Sequence, residues 1–168
     1  PFRDRWAPAP HSPTHPEYRV ALFSGCLQDF VYPEQLEAGL RLFAGKNIRI
    51  DFPHAQGCCG LPLYMLGERA AAAEVAEYNI GHMDPAEYDF ILTLCASCAS
   101  HMRENYPFLL KTAAGRTVKA AQFAQKIIDF SSFADFLLDA SDAGRPEKPV
   151  KAAYHAPCHL CRGIGVTE

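Results

Sequence analysis

The chain has 168 residues, of which 49% are hydrophobic and 21% are charged, so it can bury one well-packed domain. Its formal net charge of −3, without a run of like charges, gives no basic field, and we expect no nucleic-acid partner. No apolar stretch approaches the roughly 20 residues needed to span a bilayer, so no transmembrane segment is predicted. The sequence begins without methionine, and we expect it to be a piece of a longer protein.

The first part of the chain predicts a linker, a strand and a helix. Residues 1–18 contain five prolines and little apolar periodicity, which indicates a stiff, extended linker before the folded part. The apolar run at 18–26 predicts a buried strand. Leu36, Leu40 and Phe43 follow at helical spacing, so the segment that contains them is predicted to be an amphipathic helix over 33–45.

This strand and helix unit then repeats along the chain. Further strands are predicted at 47–52, at 87–95 and after residue 150. Helices are predicted over 61–83, from residue 99 to a stop at Pro107, and as a pair within 117–140, the second capped by Ser131 or Ser132. Alternating strands and helices predict an α/β fold with a Rossmann-like, doubly wound parallel sheet.

Six of the seven cysteines come just after the carboxyl ends of predicted strands: Cys26, Cys58, Cys59, Cys95, Cys98 and Cys158. At that edge of an open parallel sheet the loops converge into a crevice, so thiols distant in sequence can meet. Scattered cysteines usually serve as small core hydrophobes. This placement instead favours a shared metal or redox site.

Five thiols are predicted to form that site: Cys26, Cys58, Cys59, Cys95 and Cys98. They are one more than a tetrahedral zinc site or a cubane iron–sulfur cluster requires. Gly57 and Gly60 bracket the adjacent pair and are expected to take positive φ. Pro62 suits a first helical turn, whose free N–H groups would face an anionic cluster.

Three other interpretations of these thiols stay open. Cys58 and Cys59 could form a vicinal disulfide, although that bond is rare and strained. Some of the five thiols could bind structural zinc, since thiolates and C-x-x-C pairs suit that ion. A thioredoxin-type dithiol at Cys95 and Cys98 would explain neither Cys26 nor the adjacent pair.

Histidines are a further source of metal ligands. The histidines considered are His54, His82, His101, His155 and His159. Because five thiols already suffice, no histidine is included in the predicted ligand set. His155 and His159, which flank Cys158, are the best of the group.

Three motifs identify a family resemblance: SGC at 24–26, GCCG at 57–60 and CASC at 95–98. There are 31 residues between Cys26 and Cys58, and 35 between Cys59 and Cys95. With this spacing the chain resembles the CCG or cysteine-rich domain over about residues 19–165. That domain occurs in the catalytic subunit of heterodisulfide reductase, in the iron–sulfur subunit of glycolate oxidase and in lactate-utilisation iron–sulfur proteins.

The resemblance implies a cofactor and a domain division. The five thiols would hold a [4Fe-4S] cluster, which is noncubane in heterodisulfide reductase, with zinc as the alternative in some relatives. Family members usually carry two copies, so residues 19–149 would be the first CCG domain and 150–168 the start of a truncated second one. Cys158 would then stand in the place of Cys26 in an incomplete second site, whereas Cys161 has no place in the pattern.

The resemblance also implies a role. The start PFRDRW looks like the linker after a ferredoxin-type domain in glycolate and lactate oxidase iron–sulfur subunits. An electron-transfer subunit is therefore expected, with substrate chemistry on a flavin-containing oxidase subunit and a ferredoxin-type domain or subunit as a second partner. The alternatives are a heterodisulfide reductase-like thiol redox subunit and a zinc-stabilised or metal-free docking module. The expected compartment is the reducing cytoplasm, and the resemblance alone places the parent complex at the inner face of the membrane.

Overall fold

The computed structural model describes residues 1–7, 13–111, 114–139, 148, 151 and 153–166. A four-stranded sheet consists of β1 (Tyr18–Phe23), β2 (Ile48–Asp51), β3 (Phe90–Thr93) and β4 (Ile127–Asp129). All neighbouring strands are parallel and lie in the order β2-β1-β3-β4. The predicted α/β fold with a doubly wound parallel sheet is therefore confirmed, and the strand order reverses between β1 and β3.

Helices cover both faces of this sheet. In chain order they are α1 (Gly25–Phe30), α2 (Pro33–Leu42), α3 (Leu61–Met65), α4 (Arg69–His82), α5 (Ala96–Leu109), α6 (Ala114–Lys126) and α7 (Phe130–Leu137). Successive β1 side chains point to opposite faces. Ala21 and Phe23 pack with α4, α5 and α6, whereas Val20 and Leu22 pack with α2 and α7. Within the described parts of the chain, no helix has the length and apolar character needed to cross a membrane.

Two helix boundaries differ from the prediction. Helix α5 continues past Pro107, although proline removes one hydrogen bond of the helical ladder. Tyr106 and Leu110 are both buried in the core, and the Leu110 N–H donates to the Tyr106 carbonyl at 3.1 Å, so packing holds the last turn. The helix predicted over 61–83 is interrupted, because Gly67 takes a φ of 87° between α3 and α4.

The fourth strand is not where the sequence predicts it. The described residues within 151–157 form no strand, whereas β4 lies between the two helices predicted within 117–140. Ile127 is buried and Ile128 half-buried, and both continue the apolar spacing of α6. A strand of three residues is too short to show its own periodicity, which explains the error.

The N-cap of α7 also differs from the prediction. Asp129, rather than Ser131 or Ser132, occupies the cap position, and its carboxylate accepts the N–H groups of both serines at 3.0 and 3.2 Å. One carboxylate thus satisfies two free amides of the first turn, and its charge is favourable at a helix N-terminus.

The first seven residues lie against the domain. Phe2 is buried, with its ring edge on Phe52. Arg3 forms an ion pair with the fully buried Asp29 of α1, and the Arg3 backbone N–H donates to the same carboxylate at 3.0 Å. The linker interpretation does not anticipate this docking. Residues 8–12 of the expected linker lie outside the described residues.

Replacing Arg3 with leucine should lower the free energy of unfolding by about 3 kcal/mol, because Asp29 becomes a buried charge without its partner. Urea denaturation measures the change. The matched control is Arg5→Leu, which removes an exposed ion pair with Glu37 and should cost less than about 1 kcal/mol. Equal losses in the two variants would contradict the assigned role of the Arg3–Asp29 pair.

Candidate functional site

Three neighbouring strand-to-helix connections bring thiols to one edge of the sheet. Cys26 lies in α1 after β1, Cys58 and Cys59 lie between β2 and α3, and Cys95 and Cys98 lie at the start of α5 after β3. Because β1 lies between β2 and β3, these connections are adjacent at the carboxyl edge. The predicted placement of these five cysteines past strand ends is confirmed.

Four of these thiols form a row of contacts, which we call the thiol row. Cys58 is hydrogen-bonded to Cys59, Cys59 to Cys98, and Cys98 to Cys95. Cys26 is exposed at the rim, within electrostatic range of Cys58. All seven cysteines are free thiols, so the structure contains no vicinal disulfide.

Hydrogen bonding within the thiol row separates the thiol pKa values. Donation from Cys58, the larger effect, and from Cys98 when its proton faces Cys59, lowers the pKa of Cys59 to about 3. Cys98 has a single proton and therefore donates to either Cys59 or Cys95 at one time. Donation to Cys95 lowers the pKa of that thiol to about 6. The pKa values of Cys58 and Cys98 are raised by the same bonds and by burial. Proton donors therefore alternate with thiolates, and the thiolate is the form that binds metal.

Backbone N–H groups also face the sulfur atoms. The amide of Gly60 donates to Cys58, and the amide of Leu61 donates to Cys59. Cys95 accepts amides from the first turn of α5, which stabilise its thiolate. Donors of this kind stabilise anionic sulfur and tune the reduction potential of iron–sulfur clusters.

Glycines let the backbone approach the thiols closely. Gly60 takes a φ of 86°, as predicted, and Gly25 takes a φ of 67°, where an added Cβ would lie 3.3 Å from the Cys98 sulfur. Gly57 does not have positive φ, so that expectation is wrong. Its N–H instead donates to the Asn79 side-chain oxygen at 2.9 Å, and this bond holds Gly57 in a backbone conformation without positive φ.

Asn79 and Tyr106 hold the backbone around the adjacent cysteines, and the sequence analysis identified neither. Asn79, fully buried in α4, donates to the Cys58 carbonyl at 2.8 Å. Tyr106, fully buried in α5, donates to the Cys59 carbonyl at 2.8 Å and accepts from Asn79 at 3.1 Å. An asparagine on the inner face of an alanine-rich helix was the available signal, since a buried polar residue needs a reason.

Gln56 and Thr93 fix the connections to the strand ends. The buried Gln56 side chain donates to the Leu22 carbonyl at 2.9 Å and accepts the Ser24 N–H at 2.8 Å, which joins the β2 connection to the end of β1. The Thr93 hydroxyl accepts the Cys95 N–H at 3.3 Å. The connections that carry the thiols are thereby held relative to the sheet.

His101 is the histidine that lies against the thiol row, whereas the sequence analysis preferred His155 and His159. It is 1% exposed in α5, one turn after Cys98, and lies within electrostatic range of Cys59. Burial lowers the pKa of His101 itself. His155 and His159 are both exposed.

Cys158 precedes a π-helical turn (His159–Gly163) and follows irregular residues, so its predicted position after a strand is wrong. The turn packs closely on α5, since a Cβ at Gly163 would lie 2.3 Å from the Ser100 hydroxyl oxygen. Ile164 packs against the core cluster that contains the thiol row. This segment therefore lies beside the first site, and its membership of a second domain stays a prediction.

Two cavities lie on different sides of the domain. One of about 350 Å³ lies between α3, α5 and the π-helical turn, and is lined by Tyr64, His101 and Cys158 among others. A larger one of about 790 Å³ is lined by residues such as Trp6 and Leu40 near β2, and none of its described lining residues is a cysteine. Among the described residues, neither cavity is lined by a cysteine of the thiol row; the smaller one contains Cys158 and His101.

The donor set suits a cluster. Among the described His, Cys, Asp and Glu side chains, no three converge so that one metal ion could be held. A zinc ion needs its thiolates about 2.3 Å from one centre, whereas the irons of a cluster are spread and each takes its own thiolate. A row of thiols faced by backbone amides provides sulfur donors that either kind of site could use after the side chains rearrange.

Tyr106→Phe should lower the free energy of unfolding by about 1–3 kcal/mol, because the Cys59 carbonyl and the Asn79 amide lose a buried partner. Urea denaturation of the metal-free chain measures this loss. The control is Tyr78→Phe, which alters a half-exposed tyrosine on α4 and should change stability by less than about 0.5 kcal/mol. Equal stability of the two variants would contradict the role assigned to Tyr106.

Alkylation of Cys95 in the metal-free chain should accelerate up to about pH 7 and then level off, because its pKa is lowered to about 6 and the thiolate reacts. Brief iodoacetamide treatment with peptide mass spectrometry reports the rate at this residue. In Cys98→Ala, which lacks the thiol donor, the midpoint should move up toward about 8.5. A rate in the unaltered chain that still rises above about pH 8 would show that Cys95 is not held as a thiolate.

Comparison with known proteins reveals related sequences. The profile of the family described as Cysteine-rich domain, CCG, matches residues 20–103. Lactate utilization protein A of an Exiguobacterium species is 32% identical over 147 residues, which are 88% of this chain and 59% of that protein. Lactate utilization protein A 1 of Bacillus cereus is 35% identical over 150 residues, which are 89% of this chain and 61% of that protein. Lactate utilization protein A of Bacillus thuringiensis is also 35% identical, over the same shares.

The chain spans about three fifths of the length of these relatives. No solved structure matches it significantly. The matched residues 20–103 contain the three cysteine motifs that meet at the edge of the sheet. The chain therefore belongs to the CCG cysteine-rich domain family.

Proposed function

We propose that the chain binds an iron–sulfur cluster and transfers electrons during the oxidation of a hydroxy acid. The proposed ligands are Cys26, Cys58, Cys59, Cys95 and Cys98. The observation that carries this proposal is the row of contacting thiols at the sheet edge, faced by backbone amides. A cluster held there would supply electron transfer.

The surroundings of the thiols support such a role. Cys59 and Cys95 have lowered pKa values, so they offer thiolates to iron near neutral pH without a large cost of deprotonation. Cys59 and Cys98 are buried, whereas Cys26 is exposed. The proposed site thus runs from the core to the surface, where electrons can pass to a partner protein.

Lactate is the hydroxy acid that the names of the relatives support, and glycolate is the alternative. Five thiols support a [4Fe-4S] cluster of the noncubane kind. Substrate oxidation is assigned to a flavin-containing oxidase subunit, with a ferredoxin-type domain or subunit as the other electron partner. The proposed compartment is the cytoplasm, with the complex at the inner face of the membrane.

A thiol redox role of the heterodisulfide reductase type is the second candidate. The contact of Cys98 with both Cys59 and Cys95 favours it, since either pair is placed to cycle between a dithiol and a disulfide. The resemblance implies a cluster in heterodisulfide reductase as well, so metal content does not separate the two candidates. Reduction of a disulfide substrate by the reduced, cluster-loaded chain does.

Anaerobic purification followed by iron, sulfide and zinc analysis tests the proposal. The chain should be brown and contain about four iron and four sulfide per molecule. After anaerobic reconstitution, Cys58→Ser and Cys59→Ser should each lower both contents about twofold or more. Cys161→Ser is the matched control, since this half-buried thiol lies outside the proposed set, and it should load fully.

Other outcomes of the metal analysis would contradict the proposal or change its ligand set. One equivalent of zinc without sulfide would contradict the proposed cluster and favour a zinc-stabilised docking module. Full loading of Cys58→Ser and Cys59→Ser would remove the adjacent thiols from the ligand set. A loaded chain that, once reduced, reduces a disulfide substrate would favour the second candidate.

A further inference from the structure

A buried hydrogen-bonding atom beside the thiol row has no partner among the described residues. The atoms in this condition are Arg19 Nε, Gln28 Oε1 and His101 Nε2. The third belongs to a side chain that is 1% exposed. A buried donor without a partner costs about 1–3 kcal/mol, so the position of this imidazole requires an explanation.

Asn105 determines which ring nitrogen of His101 carries a proton. The Asn105 side-chain nitrogen lies 3.1 Å from His101 Nδ1. An amide nitrogen can only donate, so Nδ1 accepts and cannot carry the proton. A ring with Nδ1 as the acceptor has its proton on Nε2. The unpartnered atom is therefore an N–H donor.

The imidazole is held beside the thiol row. Residues three apart on a helix share a face, which places His101 beside Cys98. The edge of the ring packs on Tyr106, whose hydroxyl binds the Cys59 carbonyl, with ring centroids 5.5 Å apart. Tyr64 contacts it as well, at 5.3 Å between centroids. A donor fixed between two tyrosines, near clustered sulfur atoms, is suited to a sulfur acceptor.

We propose that His101 donates a hydrogen bond from Nε2 to an anionic sulfur of the cluster site. This bond raises the reduction potential of the cluster. The inference rests on the proposed function, since the acceptor is the sulfur of a metal-bound site. Donation to sulfur withdraws negative charge. It therefore stabilises the reduced cluster, which is the more negative form, more than the oxidised one.

The midpoint potential of the reconstituted chain, followed by EPR during a redox titration, tests the inference. His101→Leu removes the donor at similar volume and should lower the midpoint potential. His101→Gln keeps an N–H donor and should recover part of the shift. The control is His82→Leu on the exposed side of α4, which should leave the potential unchanged. Equal potentials in His101→Leu and the unaltered chain would overturn the inference.

A second measurement needs no folded leucine variant. Pulsed EPR of the reduced, unaltered chain labelled with ¹⁵N-histidine should show a nitrogen coupling to the cluster, which is lost in His101→Gln. Absence of this coupling overturns the inference even if His101→Leu does not fold. If the unaltered chain takes up no iron and sulfide, the proposed function and the inference both fail. A cluster that loads fully but shows neither effect overturns the inference alone.

Discussion

The backbone of the adjacent cysteines enters the apolar core, and its polar groups must find partners there. Buried peptide groups without partners are costly, so few conformations of this loop are acceptable. Asn79 pairs with the backbone of Gly57 and Cys58, and Tyr106 pairs with the carbonyl of Cys59. These three bonds fix the peptide that carries both thiols. The contacts of the thiol row depend on them, because the loop must face α5 for Cys59 to reach Cys98.

Clustered thiols in a core create an electrostatic conflict, since an isolated buried anion is strongly unfavourable. The structure resolves the conflict with donors. Cys58 and Cys98 keep their protons and donate them, and backbone amides add further donation to the sulfurs. The protons held within the thiol row are those that metal binding releases. The chain can therefore bury these thiols without a metal, and the same sulfurs can bind a metal cation once the protons leave.

Sheet topology and a buried ion pair determine the position of Cys26, the exposed thiol of the proposed site. The strand order reverses beside β1, and the crevice of a doubly wound sheet lies at such a point. Cys26 follows β1 in the short helix α1, which also contains Asp29. Because Asp29 is fully buried and paired with Arg3, the docked start of the chain holds the helix that carries the outermost thiol.

Local pattern was enough to predict the fold class and the sheet edge at which five cysteines lie, because strand and helix periodicities and strand ends are readable over a few residues. It failed for β4, whose three residues continue a helical apolar pattern, and for Pro107, where burial of Tyr106 overrides a local helix breaker. The residues that hold the loop were not predictable from local pattern. Asn79 lies 21 residues from its partner Cys58, and Tyr106 lies 47 from Cys59. Such partners are chosen by which helix faces pack together, and that depends on the burial of the whole core rather than on any short stretch of chain.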